Sequence, residues 1–309
     1  MSSPLGDKVV LVTGANAGLG YELSLQLARM GARVVMACRS PERAEQARQQ
    51  LLSQAPGGSA TVVPLDLASP ESIRELGPLV GERFGKLDVV IHNAGVYGVP
   101  LSRTAAGHEL HFATNYLGPF ALTGVLSPLL CDVPGSRIVF VGSLAHRFGK
   151  LREGQPSEDE SGYQPLAAYG RSKLALMAYT LELHRRLQRR GSNIIALSAH
   201  PGFAPTETAK RNGAERAKSA LGKWLKKRAE RWMPTVAQAA APILHAATAE
   251  GVRGGEYYGP GGLLEIFGPT KKARINAQAH DAELAVRMWA AAEAVTGVRY
   301  LSDEPSNKA

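Results

Sequence analysis

Tyr169 and Lys173 are the side chains whose types and spacing best fit proton chemistry in this sequence. They are four positions apart in a helix-forming stretch, which puts them one turn apart on the same face. A free phenol has a pKa of about 10, and a neighbouring ammonium group favours the phenolate and lowers that value. Ser143 follows an apolar run and can hydrogen-bond a carbonyl oxygen as negative charge develops there. The three residues together indicate an acid–base site.

Each of the three also has a structural interpretation, since Tyr169 could be a half-buried aromatic, Lys173 a solvated helix charge and Ser143 a cap. A Tyr-x-x-x-Lys match is common by chance. Position favours the functional interpretation, because Ser143 ends the strand that precedes the helix of Tyr169, and a sheet would bring that strand end beside the helix.

The elements that position these residues follow from alternating apolar runs and helix-forming stretches, which continue to about Gly268. Continuously apolar strands are covered on both faces, and their alternation with helices implies right-handed crossovers and a parallel sheet. The pattern predicts an α/β fold, a doubly wound parallel sheet of the Rossmann type, in which ligands bind at the carboxyl ends of the strands. We expect one domain over residues 1–268 and a C-terminal helical extension and tail over 269–309. Predicted strands are 8–13, 33–38, 61–65, 87–91, 137–142 and 193–198, and predicted helices are 19–30, 41–54, 70–84, 109–130, the helix of Tyr169, and 276–295.

A glycine-rich turn lies between the first strand and the first helix, as Thr13-Gly14-x-x-x-Gly18-x-Gly20. Gly14 allows the tight turn, Gly18 lets backbone approach a pyrophosphate, and Gly20 lets the helix pack on the sheet. The N–H groups at the start of the helix bind the anion. The spacing differs from G-x-G-x-x-G, and a turn without a ligand is the structural alternative.

The second strand ends in Cys38-Arg39-Ser40, where a site for NAD usually carries an acid for the ribose 2′-hydroxyl. An arginine stands there instead, and a guanidinium can pair with a 2′-phosphate in a fork geometry. We therefore predict NADP(H) as the cofactor, with Arg39 as its main ligand and Ser40 or Arg43 in support. Asp66, after the third strand, is either an acceptor for the adenine amino group or a helix cap.

These motifs resemble the short-chain dehydrogenase/reductase family over most of the chain, from Lys8 to about Pro201-Gly202. Some details also look like the retinol dehydrogenase-like branch and its bacterial relatives. The family motifs are Thr13-Gly14-Ala15-Asn16-Ala17-Gly18-Leu19-Gly20, Asp66-Leu67, Asn93-Ala94-Gly95, Asn115, Ser143, Tyr169-Gly170-Arg171-Ser172-Lys173 and Pro201-Gly202. One mild departure is His92, where many relatives carry asparagine, and the segment after Pro205 is less family-like.

The resemblance implies a role for each matched residue. Tyr169 would be the proton donor and acceptor, Lys173 would bind the nicotinamide ribose and tune Tyr169, and Ser143 would orient the substrate carbonyl. Asn115 would hold a water that extends a proton relay. The full set expected at the cofactor is Gly14, Asn16, Gly18, Leu19, Gly20, Arg39, Ser40, Asp66, Leu67, Asn93, Ala94, Gly95, Tyr169, Lys173, Pro201 and Gly202.

The substrate side is predicted from residues 203–233, whose apolar residues recur at helical spacing among lysines and arginines. Three uses compete: a lid over a lipophilic substrate, a peripheral membrane contact through 214–232, and an ordinary surface helix. Phe148, Phe203 and Trp224 are the candidate substrate residues, with Tyr97 nearby. Few hydrogen-bonding residues converge there, which argues against sugars and small polyols.

Composition and charge set the remaining expectations. The formal net charge of +9 fits a basic surface, and no motif for binding nucleic acid accompanies it. Two cysteines and a short polar start predict a cytoplasmic protein in a reducing compartment. The histidines lack metal-ligand spacing, and the expected chemistry needs no metal. The C-terminal helix would cap the substrate side or contribute to a subunit interface.

The function predicted from these features is NADPH-dependent reduction of bulky lipophilic ketones or aldehydes, reversible as oxidation of the alcohols. The alternative is a non-catalytic NADP-binding regulatory protein on the same fold. Substrate identity, stereochemistry, physiological direction and oligomeric state stay open.

Overall fold

The computed structural model describes residues 5–151, 162–202 and 234–302. Its centre is an eight-stranded sheet in the order β3-β2-β1-β4-β5-β6-β7-β8, in which all neighbours are parallel except β7 and β8. The predicted doubly wound fold is therefore confirmed. The strands are β1 Val9–Thr13, β2 Arg33–Cys38, β3 Ser59–Pro64, β4 Val89–His92, β5 Arg137–Val141, β6 Ile195–Ala199, β7 Tyr257–Pro260 and β8 Thr270–Lys272.

The central strands consist almost entirely of buried apolar residues, because helices cover both faces of the sheet. One apolar layer joins the sheet to α3, α5 and α6, through residues such as Ile73, Phe120 and Leu174. The other joins it to α1, α2 and α7, through residues such as Leu23 and Leu51. The helices are α1 Gly18–Arg29, α2 Pro41–Gln54, α3 Pro70–Phe84, α4 Leu110–Phe112, α5 Gly118–Leu126, α6 Pro165–Arg189, α7 Val236–Thr248 and α8 Ala282–Thr296.

Local signals account for most helix boundaries. Helices α2 and α3 match the predicted ranges, and each has proline in its first turn, where the missing N–H costs nothing. Ser69 caps α3 by accepting from the Ser72 N–H at 3.2 Å, and Gly85 ends it in the left-handed conformation. Within the described ranges, no helix has the length and apolar character needed to cross a bilayer.

The predicted helix over 109–130 is wrong as a continuous element. A π-helical turn, Ala113–Leu117, separates α4 from α5, and a short 3₁₀ turn, Ser127–Leu129, follows α5. A π-helical turn inserts an extra residue into a helix and often occurs at a functional site. Asn115 lies in the middle of this turn.

The predicted helix over 276–295 is also divided, into a 3₁₀ turn at Ala277–His280 and α8. Asp281 separates them because its side chain caps α8 by accepting from the Leu284 N–H at 3.0 Å. Helix α8 packs on α5 and α6, where the Trp289 ring lies 5.0 Å from that of Phe120. Tyr300 follows the helix and donates to the Phe120 carbonyl at 3.1 Å. The C-terminal extension therefore completes one face of the core.

Candidate active site

The parallel strands bring the predicted motifs to one edge of the sheet. Strands β1, β2, β4, β5 and β6 run in the same direction, so the residues that follow them share the carboxyl edge. These residues are Gly14, Arg39, Asn93, Ala94, Gly95, Ser143, Pro201 and Gly202. Helix α6 passes beside this edge and carries Tyr169 and Lys173 in its first half.

Ser143, Tyr169 and Lys173 converge as the sequence predicted. The Ser143 hydroxyl lies close enough to the Tyr169 phenol to lower its pKa. The Lys173 ammonium lies 5.9 Å from the centre of the Tyr169 ring and donates to the Val141 carbonyl at 2.8 Å. Because Val141 is the last residue of β5, this bond fixes α6 against the strand that delivers Ser143.

Burial dominates the titration of both α6 side chains. It raises the pKa of Tyr169 to about 12, and the nearby Ser143 hydroxyl opposes this without reversing it. It lowers the pKa of Lys173 to about 8, because the ammonium is removed from water. The phenol is thus protonated near neutral pH, and keeping the ammonium charged there lowers the stability of the folded protein.

Asn115 is placed by the π-helical turn, and its side chain holds the segment after β4. Its Oδ1 accepts from the Val96 N–H at 2.8 Å, and its Nδ2 donates to the Val96 carbonyl at 3.0 Å. Nδ2 also donates to the Ser172 hydroxyl at 2.9 Å, which connects the turn to α6. Gly95 lies against both the Asn115 amide and the Lys173 ammonium. The amide therefore joins three parts of the site, and the predicted relay water stays a prediction.

The glycine-rich turn has the shape that a dinucleotide requires. Gly14 has φ +65°, in the left-handed region that favours glycine. A Cβ on Gly20 would lie 2.2 Å from the Gly14 carbonyl oxygen, so only glycine lets α1 start this close to the turn. Gly18 and Leu19 open α1, and no atom lies within 4 Å of a Cβ built on Gly18. The first N–H groups of α1 can therefore bind a phosphate.

The ends of β2 and β3 place the residues expected at the adenosine side. Arg39 is exposed and Ser40 is half-buried directly after β2. The Cys38 thiol is buried at this strand end, and the Gly14 N–H donates to the neighbouring Ala37 carbonyl at 2.8 Å, which ties the strand end to the glycine-rich turn. Burial raises the pKa of that thiol to about 11, so it stays neutral.

Asp66 does not cap α3, because Ser69 does. Its Oδ1 accepts from the Ala68 N–H at 2.9 Å, which shapes the turn between β3 and α3. The neighbouring Leu67 is buried, and its carbonyl packs against Gly118 at the start of α5. The turn therefore leaves the partly exposed carboxylate at the carboxyl edge, where the adenine contact was predicted.

Asn93 connects the ends of β4 and β1. Its Nδ2 donates to the Thr13 carbonyl at 2.9 Å, and the Thr13 hydroxyl accepts from the N–H groups of Asn93 and Ala94 at 3.0 and 2.9 Å. His92 is buried, stacks on Phe140 at 4.7 Å and contacts the Thr123 hydroxyl at 3.1 Å. The histidine that departs from the family pattern is thus a packing residue.

Phe148 and Tyr97 are the substrate-side candidates that lie within the described residues. Phe148 ends a 3₁₀ turn, Leu144–Phe148, and its side chain is 85% exposed. Tyr97 is 38% exposed, and its ring meets that of Tyr169 edge-on at 4.8 Å. The predicted lid over 203–233, with Phe203 and Trp224, lies outside the described residues.

Several residues around Ser143 were not predicted. Arg147 pairs with Glu265 at 2.6 Å, and His200 lies 3.2 Å from the same carboxylate. Asn276, before α8, donates to the His146 and Arg147 carbonyls at 3.3 and 3.2 Å. The segment after Ser143 is therefore held by β7–β8 and by the C-terminal extension, which are separated from it by more than 100 positions in the chain.

A cluster of the buried Glu109 and His111 with the half-buried Tyr163 also lies beside Tyr169. The His111 ring is 6.2 Å from that of Tyr169, and both the Tyr163 hydroxyl and His111 Nδ1 lie 2.8 Å from the Glu109 carboxylate. A glutamate before a helix is a recognisable capping signal. The hydrogen bond between Glu109 and Tyr163 cannot be recognised from the sequence, because the two residues are 54 positions apart.

Comparison with known proteins agrees with this geometry. A family model for short chain dehydrogenase matches residues 8–217. The chain belongs to the short-chain dehydrogenase/reductase family. Human retinol dehydrogenase 13 is 35% identical over 298 residues, covering 94% of this chain and 85% of that protein.

Solved structures show the same relationship. A crystal structure of a protein from Mycobacterium paratuberculosis has a TM-score of 0.78 and 33% identity, covering 96% of each chain. The Pseudomonas aeruginosa RhlG/NADP active-site complex has a TM-score of 0.64 and 25% identity, covering 83% of this chain and 96% of that one. The resemblance predicted from the motifs is confirmed, and the protein is an oxidoreductase of a family that acts on alcohols and carbonyls with a nicotinamide cofactor.

Proposed function

We propose that this protein uses NADP(H) to reduce bulky lipophilic ketones or aldehydes, and in reverse to oxidise the corresponding alcohols. The observation that carries the proposal is the contact between Ser143 and Tyr169, with the Lys173 ammonium beside the same phenol. An oxygen that gains negative charge needs a hydrogen-bond donor and a proton, and these two hydroxyls can supply both.

The protonation state of Tyr169 suits the role of proton donor in carbonyl reduction. Burial raises its pKa to about 12, which keeps the phenol protonated at neutral pH. A protonated phenol is ready to give its proton to an alkoxide, which is the step that completes carbonyl reduction. The Ser143 hydroxyl holds the same substrate oxygen in place, so that the proton moves over one hydrogen bond.

Lys173 and Asn115 have supporting roles in the proposed reaction. When bound, the nicotinamide supplies the hydride in reduction and accepts it in oxidation. Lys173 uses one of its three N–H donors on the Val141 carbonyl and has the others for the ribose hydroxyls. Its charge also favours the phenolate left by proton transfer. Asn115 keeps the turn beside Lys173 in the position from which a water could resupply the proton.

Other observations support NADP(H) as the cofactor and a lipophilic substrate. Arg39 is exposed at the end of β2, where no acid is present to accept from a ribose 2′-hydroxyl. A guanidinium there suits a 2′-phosphate, and RhlG is a related protein whose structure contains NADP. The aromatic ring of Tyr97 and the name of the human relative, a retinol dehydrogenase, favour a lipophilic substrate.

The test is a panel of ketones, aldehydes and alcohols followed at the NADPH absorbance band, with wild type and Tyr169→Phe. We expect turnover of bulky apolar carbonyls by wild type and a loss of at least about 100-fold in the variant, because the proton donor is removed. NADPH binding, measured by fluorescence titration, should be unchanged. Tyr300→Phe is the matched control, since it removes a buried phenol hydroxyl away from this site. Wild-type rates in Tyr169→Phe, or no turnover of any panel member, contradict the proposal.

A further inference from the structure

Glu109 is a fully buried carboxylate outside the group of Ser143, Tyr169 and Lys173. It precedes α4 and caps it, because its two oxygens accept from the N–H groups of His111 and Phe112 at 2.9 and 2.8 Å. Burial alone raises the pKa of a carboxyl group. Hydrogen bonds from His111, Phe112 and Tyr163 outweigh it and lower the pKa of Glu109 to about 2. The carboxylate is therefore charged at neutral pH and needs its donors.

Two side chains complete the set of donors. His111 Nδ1 and the Tyr163 hydroxyl each lie 2.8 Å from Glu109 Oε1, and the two are 2.8 Å from each other. The Val99 N–H donates to His111 Nε2 at 3.4 Å. This places the ring proton on Nδ1, where the carboxylate accepts it. The orientation of the imidazole is thereby fixed from both sides.

The cluster joins three segments that form the site. Glu109 and His111 lead into the turn of Asn115, Val99 belongs to the loop after β4, and Tyr163 precedes α6 by two residues. Such a cluster determines how these segments lie relative to one another, because a buried carboxylate with fewer donors is strongly disfavoured.

The Tyr169 ring lies against parts of this assembly. His111 is 6.2 Å from it with the planes at 64°, and Tyr97, two residues before Val99, is 4.8 Å from it at 89°. Edge-to-face contacts of this kind set the direction of a ring as well as its distance. We propose that Glu109, His111 and Tyr163 are positioning residues that hold the Tyr169 phenol in line with Ser143. This inference rests on the proposed function for its kinetic consequence.

The first test compares Tyr163→Phe with Tyr300→Phe. Both remove one phenol hydroxyl that hydrogen-bonds inside the protein, but only Tyr163 contacts the Glu109 cluster. We expect kcat for carbonyl reduction to fall on the order of tenfold in Tyr163→Phe, because a displacement of part of an ångström at the proton donor has an effect of this size. The KM for NADPH should stay the same, and Tyr300→Phe should keep the wild-type kcat. Equal kcat values in wild type and Tyr163→Phe overturn the inference.

The second test uses the chemistry of position 111. In His111→Gln an amide can still donate to Glu109 and accept from the Val99 N–H, whereas His111→Leu loses both bonds. We expect His111→Leu to lower kcat and His111→Gln to restore most of it. If the two variants have the same kcat, hydrogen bonding through the cluster does not position Tyr169.

A readout without activity separates this inference from the proposed function. Crystal structures of wild type and Tyr163→Phe should show the Tyr169 phenol oxygen moved away from the Ser143 hydroxyl in the variant. An unmoved phenol overturns the inference whether or not the enzyme turns over. A wild-type protein that reduces no carbonyl contradicts the proposed function alone, and the two crystal structures then decide the positioning role.

Discussion

Lys173→Met is expected to abolish activity and at the same time stabilise the protein. The Lys173 side chain is buried, with 5% of the residue exposed, and its ammonium donates to the Val141 carbonyl. Burial lowers the pKa of this group from 10.5 to about 8. The folded protein therefore holds the charge less readily than the unfolded chain does, and charging Lys173 at neutral pH reduces the free energy of unfolding.

The size of the effect follows from that pKa difference. A change from 10.5 to about 8 corresponds to about 3 kcal/mol at pH 7, because each pKa unit is worth about 1.4 kcal/mol. Loss of the bond to Val141 offsets about 1–2 kcal/mol of this. Methionine fills a similar volume without a charge. We therefore expect Lys173→Met to raise the free energy of unfolding at pH 7 by about 1–2 kcal/mol.

The pH dependence has a definite sign. Between about pH 8 and 10.5 the unfolded chain binds a proton at this lysine that the folded protein does not bind, so wild-type stability rises with pH in that window. Between pH 7 and pH 10 the wild type should gain about 2.5 kcal/mol relative to the methionine variant, which removes or reverses the advantage of the variant.

The assay is denaturant unfolding without cofactor, followed by tryptophan fluorescence at several pH values. Lys150→Met is the matched control, since Lys150 is exposed and the same substitution there should change stability by less than about 0.5 kcal/mol. A Lys173→Met protein that is less stable than wild type at pH 7 refutes the reasoning. So does a difference that stays constant up to pH 10.

Two further predictions concern other charges of the site. Arg39→Asp should weaken NADPH binding at least about tenfold relative to NADH in fluorescence titrations, because a charge-assisted pair with the 2′-phosphate is lost. Arg33→Asp, at the other end of β2, is the control. An unchanged ratio of the NADPH and NADH affinities in Arg39→Asp rules out Arg39 as the ligand of the 2′-phosphate. Glu109→Gln should lower the free energy of unfolding by about 3 kcal/mol at pH 7, since the folded pKa of about 2 lies below the ordinary 4.5. That stability is present above pH 4.5 and is lost as pH falls towards 2. The difference in free energy of unfolding between wild type and Glu109→Gln should therefore narrow in acid. A difference that does not depend on pH would contradict a charged, hydrogen-bonded Glu109.

The sequence predicted the sheet and the position of the reacting groups because both follow from local patterns. Apolar runs that end in Gly14, Ser143 and Pro201 specify where strands stop, and parallel strands then gather those ends at one edge. The spacing of Tyr169 and Lys173 determines their relative position once α6 forms.

Features that depend on competing local signals were predicted less well. The π-helical turn at Asn115 has no separate periodicity, so residues 109–130 were predicted as one helix. Strands β7 and β8 are four and three residues long; β7 contains glycine and proline and β8 contains no apolar residue, which leaves too few apolar positions for a strand pattern. The antiparallel pairing of Tyr258 with Lys272 shows that tertiary contacts form these strands.

The cluster around Glu109 was missed for a different reason. His111 lacks metal-ligand spacing in the sequence, but a histidine between a carboxylate and a backbone N–H needs no such spacing. Its partner Tyr163 is 52 positions away and comes close only through the packing of α6. Hydrogen bonds between residues so far apart in the sequence form only through tertiary packing, so no local sequence pattern predicts them.

The fold stabilises the charged form of one buried residue of this site and destabilises the charged form of the other. Glu109 receives four hydrogen bonds, from two backbone and two side-chain donors, and is stabilising when charged. Lys173 makes its bond to Val141 and is charged less readily than in water. A residue that only positions its neighbours can be fully paired inside the protein. A residue that has to bind a ligand must keep donors for it, and its burial then lowers stability until the ligand is bound. Removal of the two charges should therefore change stability in opposite directions, although both changes are expected to harm catalysis.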